Sequence, residues 1–332
     1  MILVTGGSGF IGANFILNWF SESEEPLVNL DKLTYASNQN NLKHFKNSEN
    51  YFFEKGSIED LSLVTALLAK YQPRAVINFA AESHVDRSIS DSDDFVQTNI
   101  LGTHTLLKAS LKYFETLKGS EKDNFRYIQI STDEVYGSLE DKDPQSKEDS
   151  PYFPNSPYSA SKASGDHLAR AWHETFGLPV ITTNCTNNYG PFQHEEKLIP
   201  LMISHSLKGK KLPIYGDGSN VRDWLYVKDH CDALSLVLKK GRTGETYNIG
   251  GKNEIKNIEV VTHICNLLDE IYPKKNGSSY SDQIIFVEDR LGHDYRYGLN
   301  ISKIENEIGW SPKENFDSGI NKTVEWYLRK IK

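Results

Sequence analysis

Cysteine is scarce in this chain. Only Cys185, Cys231 and Cys265 occur, widely spaced and odd in number, which excludes a disulfide framework and a paired-cysteine zinc site. No apolar run approaches the roughly 18 residues that a membrane-spanning helix requires. No basic, apolar and small-residue signal pattern is seen either, because Met1-Ile2-Leu3-Val4-Thr5-Gly6 runs straight into a strand-like segment. Positive charge is in deficit: 37 Lys and Arg face 45 Asp and Glu, for a net charge of −8. Neither nucleic acid nor an anionic membrane is therefore expected as the main partner. An anionic small ligand stays compatible, since backbone amides and a few arginines bind phosphate locally. Internal repeats and low-complexity tails are missing too. These absences together predict a cytoplasmic protein with reduced thiols.

What is present is an alternation. Ile2–Val4, Leu27–Leu30, Tyr51–Phe53, Ala75–Phe79 and Tyr127–Ile130 read as short buried strands. Between them Phe10–Ser21, Leu61–Tyr71 and Phe95–Leu117 read as helices, the second with Leu61, Val64, Leu67 and Leu68 at helical spacing. Short apolar strands separated by helices predict an α/β fold, a doubly wound parallel sheet covered on both faces. Beyond about Asn187 the pattern loosens, broken by Pro191, Pro200, Pro213 and the Gly216-Asp217-Gly218 turn. Helices are expected there at 197–207, 227–239, 258–271 and 318–329. Asp141–Asn155, with three prolines, is expected to be a surface loop, and Lys274–Asp282 a mobile polar one. The expected division is a Rossmann-type dinucleotide domain over 1–187, to which 222–251 returns. A smaller mixed α/β substrate-binding domain is then built from 188–221 and 252–332.

Gly6-Gly7-Ser8-Gly9-Phe10-Ile11-Gly12 follows the first strand and opens the first helix. Glycines at 6, 9 and 12 permit a tight turn, close approach of backbone to a pyrophosphate, and close helix–sheet packing. The helix N-terminus offers free amides and positive dipole to phosphate. Asp31 ends the next strand about 20 residues later, where an acid accepts hydrogen bonds from the adenosine ribose. It would repel a 2′-phosphate, so NAD is favoured over NADP, a preference that Lys32 beside it weakens.

Tyr158 and Lys162 lie four apart at a helix start and so share a face. For a phenol to act as a base near neutral pH its pKa must fall by about 3 units, roughly 4 kcal/mol. A lysine ammonium and an oxidised nicotinamide ring are expected to supply that by opposite charge. Asp133 and Glu134 follow the strand Tyr127–Ile130 at its C-terminal end, where open α/β sheets bind ligands. Adjacent carboxyls in a closed pocket push their pKa values apart, leaving one an acid and the other a base. His194, Glu195 and Glu196 lack metal-ligand spacing, so no metal site is expected.

The glycine turn with Tyr158-x-x-x-Lys162 resembles the extended short-chain dehydrogenases that act on nucleotide sugars. The segments Ser131–Gly137, Ala80–Ser88, Asn184–Pro191, Arg222–Val227 and Tyr247–Gly251 sharpen the likeness to the nucleotide-sugar 4,6-dehydratases, essentially end to end. The resemblance implies NAD as cofactor, dTDP-glucose as substrate and a homodimer, expected to be built through 95–117 and 159–175. It implies that Tyr158 takes the proton of the sugar 4-hydroxyl as hydride leaves for NAD⁺, that Thr132 bonds the same oxygen, and that Lys162 holds the cofactor ribose. Glu134 would then remove the carbon-5 proton and Asp133 would protonate the departing 6-hydroxyl.

By the same matching Gly6, Gly9, Phe10, Ile11, Gly12, Asp31, Lys32, Leu33, Thr34, Ser57, Ile58, Phe79, Ala80, Ala81, Ser83, Thr98, Tyr158, Lys162 and Asn188 would line the NAD site. Ser83, Thr132, Asn187, Lys197, Leu198, Pro213, Ile214, Tyr215, Arg222, Asn257, Arg290 and His293 would meet the nucleotide sugar, with Arg222 on the diphosphate. Two departures stand out. Ser57 replaces a usual acid that contacts the adenine amino group, and the segment Gln193–Lys197 differs from the usual one. The alternatives are a dehydratase for another nucleotide sugar, a 4-epimerase, whose relatives lack the Asp-Glu after Thr132, and a non-catalytic NAD-binding module.

Overall fold

The computed structural model describes residues 1–331. Seven strands form the central sheet: β1 (Ile2–Thr5), β2 (Leu27–Asp31), β3 (Tyr51–Lys55), β4 (Ala75–Asn78), β5 (Arg126–Thr132), β6 (Val180–Cys185) and, after three strands that pair elsewhere, β10 (Thr246–Ile249). Their order is β10-β6-β5-β4-β1-β2-β3, and every pairing is parallel. This is the doubly wound α/β sheet expected from the alternation. Strand order reverses between β1 and β4, and a crevice opens outside their C-terminal ends.

The sheet is apolar on both faces because alternate residues point opposite ways. Ile2, Val4, Leu27, Ile77, Ile128 and Ile130 pack with Phe15, Ile16 and Trp19 of the helix Phe10–Glu22 and with Leu234 and Val237 of the helix Val227–Lys240. Leu3, Val28, Leu30, Val76 and Tyr127 face the other way, onto Val64, Leu67 and Leu68 of Leu61–Tyr71 and Leu106 and Leu107 of Thr103–Thr116. A second core gathers Tyr189, Met202, Ile214, Trp224, Val260, Ile264 and Val324. It is framed by β7 (Asn187–Tyr189), β8 (Leu212–Tyr215), β9 (Val221–Tyr226), β11 (Glu254–Lys256) and β12 (Ile284–Val287), paired as β11-β9-β7 and β12-β8.

The segment 222–251 is split between these cores. Its helix and β10 join the main layers, whereas β9 pairs with β7 and β11. Leu299, Ile301, Ile304, Ile308 and Trp310 also pack in the main core, although they lie in the stretch expected to belong to the smaller domain.

The expected helix Phe95–Leu117 is not uniform. Asp93–Phe95 is α-helical, Val96–Gly102 widens into a π-helix, and Thr103–Thr116 is α-helical again. The widened turn directs Asn99 to Ser161 Oγ at 2.8 Å and to the backbone of Glu82, and Thr98 towards Lys32. Such bulges recur at functional sites.

The loop Asp141–Asn155 is clamped over the outer edge of the sheet. Glu148 accepts from the Asn248 amide at 3.0 Å, and the Ser146 carbonyl accepts from its side chain at 3.0 Å. Loop coverage of this kind protects an edge strand. The loop Lys274–Asp282 is likewise tied down, with Asp269 accepting from Ser279 Oγ at 2.5 Å and the Tyr280 amide at 2.9 Å.

Candidate active site

The glycine turn meets its steric demands differently at each glycine. Gly6 has φ +67°, and a Cβ there would lie 2.7 Å from the Ala80 nitrogen. A Cβ on Gly12 would sit 2.5 Å from the Gly6 carbonyl oxygen, which fixes the close crossing of turn and helix. Gly9, at the N-cap, carries no side-chain cap, so the first helical amides stay free to face the crevice. Asp31 clamps this turn, accepting from the Ser8 amide at 2.9 Å, the Leu33 amide at 2.8 Å and Ser37 Oγ at 2.9 Å. Lys32 is turned away to Thr98 and Glu59, at 2.9 and 3.3 Å.

Every residue expected at the cofactor except Leu33 lines this one cavity. Leu33 is displaced because its φ of +60° carries the chain through a tight corner in which its amide, not its side chain, serves Asp31. Ala36, Ser37, Glu82, Thr186, Gln193 and Glu196 also line the cavity, although no spacing in the sequence pointed to them. A cradle that only glycine can form, an uncapped helix start and a carboxylate at the end of β2 fit a dinucleotide.

The reacting groups converge at the C-terminal end of β5. Thr132 caps the short turn Asp133–Tyr136, accepting from the Glu134 amide at 3.3 Å and donating its hydroxyl to Asp133 Oδ1 at 3.1 Å. Asp133 is buried, and its second oxygen has no partner in the chain. Burial and then the Glu134 charge hold its carboxyl well above the usual range. Burial also raises Glu134, but Lys197, Arg222 and Arg290 oppose it. The asymmetry leaves Asp133 the better acid donor of the pair and Glu134 the better base.

Tyr158 and Lys162 are set by the first turns of the helix Pro157–Phe176. Ser156 and Ser159 cap each other reciprocally and Pro157 occupies the first helical position. The Tyr158 amide donates to Ser88 Oγ at 3.2 Å, and its ring meets Phe95 edge-on at 6.3 Å. Lys162 differs from expectation: its ammonium donates to the Ile130 carbonyl at 2.6 Å. The Tyr158 phenol is raised by burial first and then by Glu134, Cys185 and Asp133, with Thr132 opposing.

A second cavity continues from the first through Glu134, Asn187 and Lys197. It collects Leu198, Pro213, Ile214, Tyr215, Arg222, Asn257, Arg290 and His293, while Ser83 and Thr132 line the cofactor side. The Asn187 and Asn257 side-chain carbonyls are buried there without partners. Arg222 is less free than expected for a diphosphate clamp. Its terminal nitrogens donate to the carbonyls of Val221 at 2.7 Å, Asp294 at 2.9 Å and Tyr295 at 3.1 Å.

A family model, GDP-mannose 4,6 dehydratase, matches residues 3–323. The chain belongs to this family. It is similar to dTDP-glucose 4,6-dehydratase of Haemophilus influenzae, with 56% identity over 329 residues, 98% of this chain and 97% of the relative. The crystal structure of the dTDP-glucose 4,6-dehydratase DesIV from Streptomyces venezuelae, which has NAD bound, aligns at a TM-score of 0.89. Identity to it is 43%, with 99% of this chain and 97% of that one covered. UDP-glucose 4-epimerase of Thermotoga maritima aligns at a TM-score of 0.86 and 28% identity, covering 100% and 99%. Backbone likeness therefore does not separate dehydratase from epimerase. Function is to be argued from the side chains of the site rather than from the fold.

Proposed function

We propose that this chain is an NAD-dependent hydro-lyase that converts dTDP-glucose to dTDP-4-keto-6-deoxyglucose and water. One observation carries the reading: a buried Asp133, its carboxyl held well above the usual range by burial, stands beside Glu134 in the same cleft as Tyr158. Oxidation at one carbon needs one base; elimination needs a further base and an acid. High identity to curated dTDP-glucose 4,6-dehydratases across nearly the whole chain supports the same conclusion.

The glycine turn, Asp31 and the Ala80–Ala81 segment would hold NAD, which would store the hydride lost from carbon 4 until it is returned to carbon 6 and, when oxidised, would supply positive charge that lowers the neighbouring phenol. Tyr158 takes the 4-hydroxyl proton while Thr132 bonds that oxygen. A carbonyl at carbon 4 acidifies carbon 5, from which Glu134 removes the proton. Asp133 gives its proton to the 6-hydroxyl, which leaves as water, and Glu134 then returns a proton to carbon 5. The cycle leaves Tyr158 with one proton more and Asp133 with one fewer. Thr132, bonded to Asp133 and set beside the phenol, is the hydroxyl through which that proton returns.

Turnover in deuterium oxide tests the reading. The expected product is a 4-keto-6-deoxy sugar nucleotide carrying solvent deuterium at carbon 5. A product that keeps its 6-hydroxyl and carries no label points instead to 4-epimerisation. The protein is further proposed to act in the cytoplasm as a homodimer. Val96, Leu101 and Phe176 are exposed on the two helices expected at the interface, and sedimentation at the monomer mass would oppose that assembly.

A further inference from the structure

We infer that Asp166 is a positioning residue of the reaction centre, the buried counter-charge that keeps the Lys162 ammonium docked on β5. This rests on the reading of Lys162 as part of that centre. Asp166 lies one helical turn beyond Lys162 on the same face. The two side chains grip consecutive residues of β5: Lys162 donates to the Ile130 carbonyl at 2.6 Å, and Asp166 accepts from Ser131 Oγ at 2.5 Å. Asp166 is only 4% exposed, its other oxygen has no partner, and Tyr152 OH donates to it at 3.4 Å.

Among the described residues, Lys162 is the cation that opposes the burial of this carboxylate. Burial lowers the pKa of the Lys162 ammonium, and Asp166 is the first group opposing that shift. Reciprocally, burial raises Asp166 to about 7 and Lys162 is the main force holding it down. The carboxylate also borders a separate cavity, lined by Glu148, His167, Arg170, His173 and Glu245, on the side away from the cofactor cleft. Tyr152 lines the same cavity; its ring lies tilted 5.3 Å from that of His167, and its hydroxyl accepts from Asn184 at 3.1 Å.

The groups facing Asp166 are Lys162 on its own helix, Ser131 on β5 and Tyr152 on the covering loop, with Cys185 of β6 near the ammonium. Two variants test the inference by pH profile, with NAD content and circular dichroism as folding controls. Asp166→Asn keeps the shape and removes the charge. Its kcat is expected to fall roughly tenfold near neutral pH, and its alkaline limb to move down by about one pH unit. Ser131→Ala keeps the charge but removes its best donor, so its acid limb is expected to move up, with activity recovered at higher pH. An Asp166→Asn profile that superimposes on the wild type overturns the inference, as does a Ser131→Ala loss that is equal at every pH. Absence of wild-type dehydratase turnover would instead defeat the functional reading itself.

Discussion

Asp86 clasps Arg290 across the mouth of the substrate cavity. Asp86 Oδ1 lies 2.6 Å from Arg290 Nε, and Arg290 NH2 donates to Oδ2 at 3.2 Å. Tyr215 OH reaches the same carboxylate at 3.4 Å, and the guanidinium stands 5.2 Å from the Tyr215 ring. The clasp joins the helix Val85–Ser90, beside the main sheet, to the loop after β12.

A nucleotide diphosphate must compete with Asp86 for this arginine. Both side chains are partly exposed, so the pair contributes only about 0.5–1 kcal/mol. Asp86→Asn is accordingly expected to lower KM for the sugar nucleotide two- to fivefold with little change in kcat. Arg290→Ala is expected to raise KM at least tenfold. Steady-state kinetics on both variants checks the pair, and a raised KM in Asp86→Asn would show that the carboxylate orients the arginine rather than occupying it.

Tyr158→Phe removes the oxidation base and nothing else in contact with the elimination groups. Loss of a positioned base costs about 10²–10⁴-fold, and kcat is expected to fall within that range while bound NAD content is unchanged. Because the chain's own groups hold the phenol high, the fall should be accompanied by loss of cofactor reduction in a single turnover, which absorbance near 340 nm measures.

Asp133→Asn and Glu134→Gln separate acid from base. Glu134→Gln is expected to abolish solvent label at carbon 5, while Asp133→Asn retains that exchange but loses water elimination, each with kcat down about 10²–10⁴-fold. Stability should move the other way. The folded-state pKa of Asp133 is raised, so the native protein holds a proton that the unfolded chain releases above about pH 4. The native state therefore loses stability as pH rises through that window. Asp133→Asn escapes this loss, and thermal melts should show its Tm overtaking the wild type as pH increases from about 4 to 8.

The site was legible wherever chemistry is carried by neighbours in sequence. Gly6, Gly9 and Gly12 declare a turn, Tyr158 and Lys162 a helix face, and Asp133 and Glu134 a strand end. Strand β6 was not legible, because Thr182, Thr183 and Asn184 interrupt its apolar run although all are buried. Nor was the π-helical turn at Val96–Gly102, since apolar spacing does not report one extra residue in a turn. Arg222 and Lys162 stand at the expected cavities with unexpected partners, each captured by a backbone carbonyl of the folded chain. Asp86 meets Arg290 only through the fold, 204 residues along the chain, so no local pattern marks it. The second cavity is lined by residues scattered from His84 to Tyr297, and its expected members were readable only through family resemblance.

His230 gives the fold an acid-sensitive point next to the cofactor. It is fully buried in the helix Val227–Lys240, its Nδ1 lies 2.9 Å from Asn188 Oδ1, and its Nε2 has no partner. Burial lowers its pKa to about 3, so the folded protein keeps it neutral. The unfolded chain binds a proton there below about pH 6.5, which the native state does not. Stability from this group is thus fully present above about pH 6.5 and is lost as pH falls towards 3. By pH 5 the loss is about 2 kcal/mol. In His230→Asn that slope should vanish: chemical denaturation at pH 7 and pH 5 should show the wild type losing about 2 kcal/mol more than the variant. An equal loss in both would mean that His230 is already protonated in the native protein. In that case Asn188, which lines the NAD cavity, is held by a charged imidazole rather than a neutral one.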